Sequence, residues 1–212
     1  MSKLLRLASL AAVVFAVSTA YGSTITSSII YQNIPNSGNA ADPANMASTL
    51  PSASFSIGAL GINFTSGPSA YTPAGFLNNP TFSSQVNGFN PTASLTNSEV
   101  VITGSLFLNA GANSFVVGHD DGTVLNIVGF GNVVNAPGPT SFSNSPFTVN
   151  AVTAGNYNFS LDYSECCGSP ADLVFNLNNQ PVGANVPEPG TLALLGSGMA
   201  GLAGLVRRRF LA

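Results

Sequence analysis

The chain has 212 residues, of which five are basic and eight are acidic, and this length fits one or two domains. All five basic residues lie near the ends, so residues 21 to 186 contain seven acidic side chains and no lysine or arginine. Duplex nucleic acids are bound through basic side chains that neutralise phosphates, which excludes a nucleic acid partner for this region. The 45% hydrophobic content argues against a disordered chain. Cations and neutral polar ligands such as sugars are the partner classes that this charge permits.

The first 20 residues have the pattern of a secretory signal peptide. Lys3 and Arg6 precede an apolar stretch from Leu7 to Val17, and small residues lead up to Ala20. This pattern predicts export and cleavage by signal peptidase after Ala20, with Gly22 as the alternative position. An uncleaved anchor or a first core helix is the other interpretation of the stretch.

The middle of the chain is predicted to form one all-β domain. Tyr157 to Tyr163 alternates apolar and polar residues, and Leu173 to Leu177 repeats the pattern, which is typical of half-buried strands. Residues 32 to 52 and 65 to 98 are rich in proline and are expected to be long loops or irregular edges. Further strands are expected at Ser54 to Ile57, Val100 to Leu108, Phe115 to Gly118 and Val124 to Val128.

Short strands separated by glycine- and proline-rich turns favour a single antiparallel β-sandwich of jelly-roll type. We expect the sandwich to occupy residues 21 to 180, with a linker over residues 181 to 186. The signal peptide at residues 1 to 20 and a C-terminal segment at residues 187 to 212 flank these parts.

An acidic segment, Asp120-Asp121-Gly122, lies between two predicted strands. One interpretation is a hairpin turn, because Asp and Gly accept turn dihedrals. The other is a calcium site, because Ca²⁺ prefers oxygen ligands and two adjacent carboxylates supply them. The spacing alone leaves both interpretations open.

The two cysteines of the chain, Cys166 and Cys167, are adjacent. In an exported protein they are expected to be oxidised. A vicinal disulfide that stiffens a loop, disulfides between chains, and reduced thiols are the three alternatives. The Cys-x-x-Cys spacing of redox motifs is absent from the sequence.

Residues for catalysis are few. His119 beside Asp120 is the one histidine, and no Gly-x-Ser-x-Gly motif is present. Glycoside hydrolysis needs only two carboxylates, which keeps Glu99, Asp162 and Glu165 as candidates. The three-residue spacing of Asp162 and Glu165 indicates a solvated strand edge instead, so the sequence does not predict an enzyme.

The C-terminal segment has three features in order. An apolar stretch from Thr191 to Val206 would reach about 24 Å as a helix, against a hydrocarbon core of about 30 Å, which predicts a short transmembrane helix. The positive-inside rule places the arginines that follow it on the cytoplasmic side. The flanking residues are Pro187, Glu188 and Pro189 before the stretch, and Arg207, Arg208 and Arg209 after it.

These three features resemble the PEP-CTERM sorting signal of exported proteins in Gram-negative bacteria that form extracellular matrix. The same tail is also called an ice-binding-protein C-terminal domain. The resemblance implies a transient anchor in the inner membrane and processing by an exosortase at the Pro-Glu-Pro region. It also implies a final location at the cell surface or in the extracellular matrix.

A second resemblance concerns the central region. The motifs Asp120-Asp121-Gly122, Gly155-x-Tyr157, Tyr163-Ser164-Glu165 with Gly168, and Pro170 to Leu173 follow one another. They resemble the protective-antigen-type β-sandwich of bacterial toxins, glycosidases and yeast flocculins. In the flocculin branch the paired aspartates hold calcium and a sugar, in some members across a cis peptide bond. The resemblance implies that Asp120 and Asp121 are calcium and glycan ligands.

Together, these observations predict an exported surface or matrix protein whose sandwich binds extracellular polysaccharide through calcium. The alternative is a structural matrix or biofilm protein with no discrete ligand. A glycoside hydrolase is the third hypothesis.

Overall fold

The computed structural model describes residues 22–34, 50–86, 88–184 and 198–199. Residues 22 to 185 form one compact unit. The predicted signal peptide, including Ala20, lies outside the described residues. The same holds for most of the predicted sorting segment: Pro187, Glu188, Pro189, the stretch from Thr191 to Val206 except residues 198 and 199, and Arg207, Arg208 and Arg209. Among the residues that are described, no helix has both the length and the apolar character needed to cross a bilayer.

The described part of the compact unit is built from antiparallel strands, with one short α-helix, α1 (Pro73–Phe76). The strands are β1 (Thr24–Tyr31), β2 (Ala53–Phe55), β3 (Asn63–Ser66), β4 (Phe82–Ser83), β5 (Ser98–Leu108), β6 (Gly111–Asp120), β7 (Gly122–Ile127), β8 (Gly131–Ala136), β9 (Ser143–Ala151), β10 (Gly155–Glu165), β11 (Ala171–Leu177) and β12 (Gln180–Pro181).

Within the described residues, these strands form two sheets. The large sheet has seven strands in the order β4-β2-β1-β5-β10-β7-β8, and the small sheet has the order β12-β11-β6-β9, with β3 also paired to β11. Alternate side chains of each strand point into one shared core, because successive residues of a strand face opposite sides. The largest side chains there include Phe64, Phe115, Leu125, Leu161 and Phe175, each almost completely buried. This confirms the predicted all-β antiparallel sandwich.

All the predicted strands are present, but the sequence did not reveal several others. β1, β3, β8 and β9 were missed. β9 was hidden by its polar residues and by Pro146 within it. It is the edge strand of the small sheet, where proline and exposed polar side chains are tolerated.

The predicted linker over residues 181 to 186 begins too early. β12 pairs with β11 through Pro181, and Ala184 forms a β-bridge with Leu60. Val182 is 2% exposed and belongs to the hydrophobic core. After the turn at residues 178 and 179, the chain packs against the sandwich again through the apolar side chain of Val182. The compact unit therefore extends to about residue 185.

The hairpin interpretation of the acidic segment is wrong. β6 ends at Asp120 in the small sheet, and β7 begins at Gly122 in the large sheet. The chain therefore crosses from one sheet to the other at Asp121 instead of turning back on itself. The peptide bond between Asp120 and Asp121 is cis.

A second crossing lies beside the first. β10 ends at Glu165 in the large sheet, and β11 begins at Ala171 in the small sheet. Gly122 pairs with Ser164 in one sheet, while Asp120 pairs with Asp172 in the other. The pairing on both sides brings the two crossing segments together at one end of the sandwich.

Candidate functional site

The two crossings place Asp120 and Asp121 next to residues 165 to 167. Both aspartates are buried, at 6% and 4% exposure. The amide of Thr140 donates to Oδ1 of Asp121 at 3.0 Å, and the amide of Cys166 donates to Oδ2 at 3.0 Å. Two backbone amides from different loops therefore fix the orientation of the Asp121 carboxylate.

Glu165 is completely buried and contacts two tyrosine hydroxyls. Tyr71 donates to its Oε1 at 2.6 Å, and the hydroxyl of Tyr163 lies 2.8 Å from its Oε2. Tyr163 also contacts the main-chain carbonyl of Asp120. A hydroxyl carries one proton, so Tyr163 donates to one of these two oxygens at a time.

Tyr71 reaches this position because of the short helix that follows it. The side chain of Thr72 caps α1 by accepting from the Gly75 amide at 3.1 Å, and Pro73 occupies the first turn, where its fixed φ suits a helix. Phe76 is buried and stacks on Tyr163, with ring centroids 5.4 Å apart. The cap and this stack hold the Tyr71 loop against β10.

Together, Asp120, Asp121 and Glu165 form a three-carboxylate cluster in which one oxygen of each side chain lies within 4.8 Å of the others. Residues 21 to 186 contain no lysine or arginine to neutralise it. An all-oxygen donor set suits hard cations such as Ca²⁺, and the cluster could hold one.

Burial makes ionisation of two members of this cluster, Glu165 and Asp120, unfavourable. It raises the pKa of Glu165 to about 7, although hydrogen bonds from Tyr71 and Tyr163 act in the opposite direction. Burial also raises the pKa of Asp120, and the nearby charges of Asp121 and Asp172 raise it further. Each shift reflects the cost of placing a negative charge in a poorly solvated site.

His119 has a structural role in this arrangement. Its Nδ1 lies 2.6 Å from the carbonyl oxygen of Asp121, and its Nε2 lies 3.1 Å from Oγ of Ser145. A carbonyl oxygen only accepts, so Nδ1 is the donor. With both ring nitrogens hydrogen-bonded and the side chain 2% exposed, the histidine holds the crossing segment in place.

Cys166 and Cys167 form a vicinal disulfide beside the cluster. Cys166 is buried and Cys167 is exposed. Sγ of Cys166 lies 3.0 Å from Oδ2 of Asp121. The two sulfur atoms and Asp121 could form a ligand group by position, but sulfur in a disulfide is not the thiolate that binds metals.

The structure brings the predicted residues Asp120, Asp121, Cys166 and Glu165 together and separates the other two candidates, Glu99 and Asp162, from them. The expected solvated edge at Asp162 and Glu165 is wrong, since these residues are 7% and 0% exposed. They sit on opposite faces of β10, because their positions in the strand differ by three and successive residues face opposite sides. Glu99 lies opposite Ser164 and so shares the face of Asp162.

Sequence reasoning missed Tyr71 and Thr140. Tyr71 lies in a region expected to be loop, and nothing in its neighbours links it to Glu165. Thr140 contributes only its backbone amide, which any residue except proline could supply.

Comparisons with known proteins bear on the tail and on the sandwich separately. Residues 185–209 match the PEP-CTERM protein-sorting motif, which confirms the predicted sorting tail. Comparison with curated protein sequences gave no match.

Solved structures with the same sandwich include PA14 domains. The PA14 domain of the MpAFP antifreeze protein has a TM-score of 0.57 at 19% identity, over 76% of this chain and 86% of that chain. The PA14 sugar-binding domain from an RTX adhesin has a TM-score of 0.55 at 20% identity, over 74% and 90%. The A domain of epithelial adhesin 6 from Candida glabrata, in complex with Galβ1-3GlcNAc, has a TM-score of 0.52 at 17% identity, over 77% and 84%. These similarities confirm the expected PA14-type fold of the central region.

Proposed function

We propose that this protein is exported, sorted through its tail by an exosortase, and displayed at the cell surface or in the matrix, where the sandwich binds glycan through calcium. The sorting motif at residues 185–209 supports the route. The signal peptide pattern of the first 20 residues agrees with it. The proposal for the sandwich rests on the three-carboxylate cluster.

The cluster fits a calcium ion by the chemistry of its donors. Asp120, Asp121 and Glu165 come together from two chain crossings, with ligand oxygens within 4.8 Å of one another. Calcium takes six to eight oxygen ligands in total, more than these side chains supply with one oxygen each. The amides of Thr140 and Cys166 donate to the two oxygens of Asp121 and hold the carboxylate in place without adding a positive charge to the site.

A sugar would complete such a site. Hydroxyl oxygens of a glycan are neutral oxygen donors, so they would fill coordination positions that the protein leaves to solvent. Two of the similar structures are carbohydrate binders: one is a sugar-binding domain and the other is a complex with Galβ1-3GlcNAc. This agrees with a carbohydrate as the ligand class for this chain.

The experiment is a glycan array probed with residues 21 to 186, in calcium and in chelator. We expect binding in calcium that is lost in chelator and in the Asp120→Asn, Asp121→Asn double variant. Asp162→Asn is the matched control, because Asp162 is a buried carboxylate on the opposite face of β10 from Glu165 and is not part of the cluster.

Failure to bind in either condition would favour a structural matrix protein without a discrete ligand. Binding that persists in chelator would place the glycan site away from the three-carboxylate cluster. Turnover of a polysaccharide would contradict the binding proposal and support the hypothesis of a glycoside hydrolase.

A further inference from the structure

The Cys166–Cys167 disulfide lies next to two members of the three-carboxylate cluster, Asp121 in space and Glu165 in the sequence. The Cys166 amide donates to Oδ2 of Asp121 at 3.0 Å, and Sγ of Cys166 lies 3.0 Å from the same oxygen. Cys166 also directly follows Glu165 in the chain. The orientation of the Asp121 carboxylate therefore depends on a segment that the disulfide closes, and Glu165 directly precedes that segment.

A disulfide between adjacent residues closes a small ring that contains the peptide bond between them. The ring restricts the backbone dihedrals of both cysteines and so keeps the Cys166 amide directed at Asp121. Reduction would return conformational freedom to this backbone. It would also give Cys166 an S–H group, a donor that competes for the oxygen of Asp121.

The disulfide can be reached from solvent on one side only. Cys167 is exposed, whereas Cys166 is 6% exposed. A thiolate of a small dithiol attacks Sγ of Cys167, the S–S bond breaks, and Cys166 leaves as a thiolate. The second thiolate of the reductant then closes its own disulfide and releases Cys167. Two electrons pass to the protein, and the two protons of the dithiol end on the two cysteines.

We propose that the Cys166–Cys167 disulfide is a redox control on the cation site, an inference that rests on the function proposed above. In the oxidised chain, Cys166 holds Asp121 for the cation. In the reduced chain, the amide and Glu165 lose this alignment and the affinity for calcium falls. Groups that orient metal ligands typically change metal affinity by about 10- to 100-fold when they are removed.

The test measures the calcium dissociation constant of the full-length chain by isothermal titration calorimetry. The chain is oxidised, reduced with dithiothreitol, or reduced and reoxidised, at a temperature where far-UV circular dichroism shows all forms folded. We expect the dissociation constant to rise about 10- to 100-fold on reduction and to recover on reoxidation. The double variant Cys166→Ser, Cys167→Ser should bind as weakly as the reduced chain, with or without dithiothreitol.

The outcomes separate this inference from the proposed function. Equal dissociation constants for the oxidised and reduced chains would overturn the redox control and leave the calcium site standing. An effect of dithiothreitol that persists in the double variant would also overturn it, because no disulfide is present there. Absence of calcium binding by the oxidised chain would overturn both.

Discussion

Replacing Glu165 with glutamine tests how much the ionisation of this buried carboxyl group lowers the free energy of unfolding as the pH rises. Burial raises the pKa of Glu165 from an ordinary value of 4.5 to about 7. The folded chain therefore keeps a proton over a pH range in which the unfolded chain has released it. The contribution of Glu165 to stability is fully present below about pH 4.5 and is lost as the pH rises through about 7.

The size of the effect follows from the two pKa values. Between pH 5 and pH 8, proton linkage at this one side chain lowers the free energy of unfolding by about 2.5 kcal/mol. That is a large part of the roughly 5 to 15 kcal/mol that stabilises a typical domain. Burial also raises the pKa values of Asp120, Asp162 and Asp172, so their contributions have the same sign.

The assay is urea unfolding of residues 21 to 186 in chelator at pH 5, 6, 7 and 8. The wild type should be most stable at pH 5 and should lose stability steadily toward pH 8. Glu165→Gln should lose about 2.5 kcal/mol less over that range, because its amide cannot ionise but still donates to and accepts from the tyrosine hydroxyls. The same pH slope in both proteins, or stability that rises with pH, would refute the reasoning.

The remaining predictions concern calcium, the tail and Tyr71. The double variant Asp120→Asn, Asp121→Asn should show no rise in melting temperature when calcium is added. In the wild type, calcium at a hundredfold excess over Kd should stabilise the folded chain by about 2.7 kcal/mol. Equal wild-type melting curves in calcium and in chelator would contradict this prediction. Deleting residues 187 to 212 should move the protein into soluble fractions with an unchanged thermal melt, and an unfolded or degraded product would disprove the domain boundary. Tyr71→Phe should raise the pKa of Glu165 further, because a hydrogen bond that favours its ionised form is lost; in the urea assay the fall in stability should then continue to a higher pH, with a larger total loss between pH 5 and pH 8 than in the wild type.

The strands that could be predicted are those in which apolar and polar residues alternate along the sequence. Tyr157 to Tyr163 and Leu173 to Leu177 gave β10 and β11, because one face of each strand packs in the core while the other carries polar residues. β9 lacks this signal, since its outward residues and Pro146 suit an edge strand.

The candidate site was predictable only in part. The Asp120-Asp121-Gly122 motif identified two members of the cluster through a resemblance, but the local pattern suggested a hairpin. A strand–turn–strand sequence does not state whether its second strand pairs with the first or joins the opposite sheet. Tyr71 was beyond prediction, because its contact with Glu165 joins residues 94 positions apart through a capped helical turn.

The position of the cluster follows from topology, and its chemistry follows from charge. Two crossings between the same pair of sheets meet at one end of the sandwich. They bring Asp120, Asp121 and Glu165 together, although Asp120 and Glu165 are 45 positions apart in the sequence. Two unit charges 4 Å apart repel by about 4 kcal/mol at the effective dielectric constant of a protein surface. Backbone amides and tyrosine hydroxyls stabilise the carboxylates without removing their charge, and residues 21 to 186 offer no basic side chain. Neutralisation must therefore come from outside the chain, as a proton on Glu165 or as a cation bound by all three carboxylates. This cost of charge is the reason that we propose a cation as the ligand of the cluster.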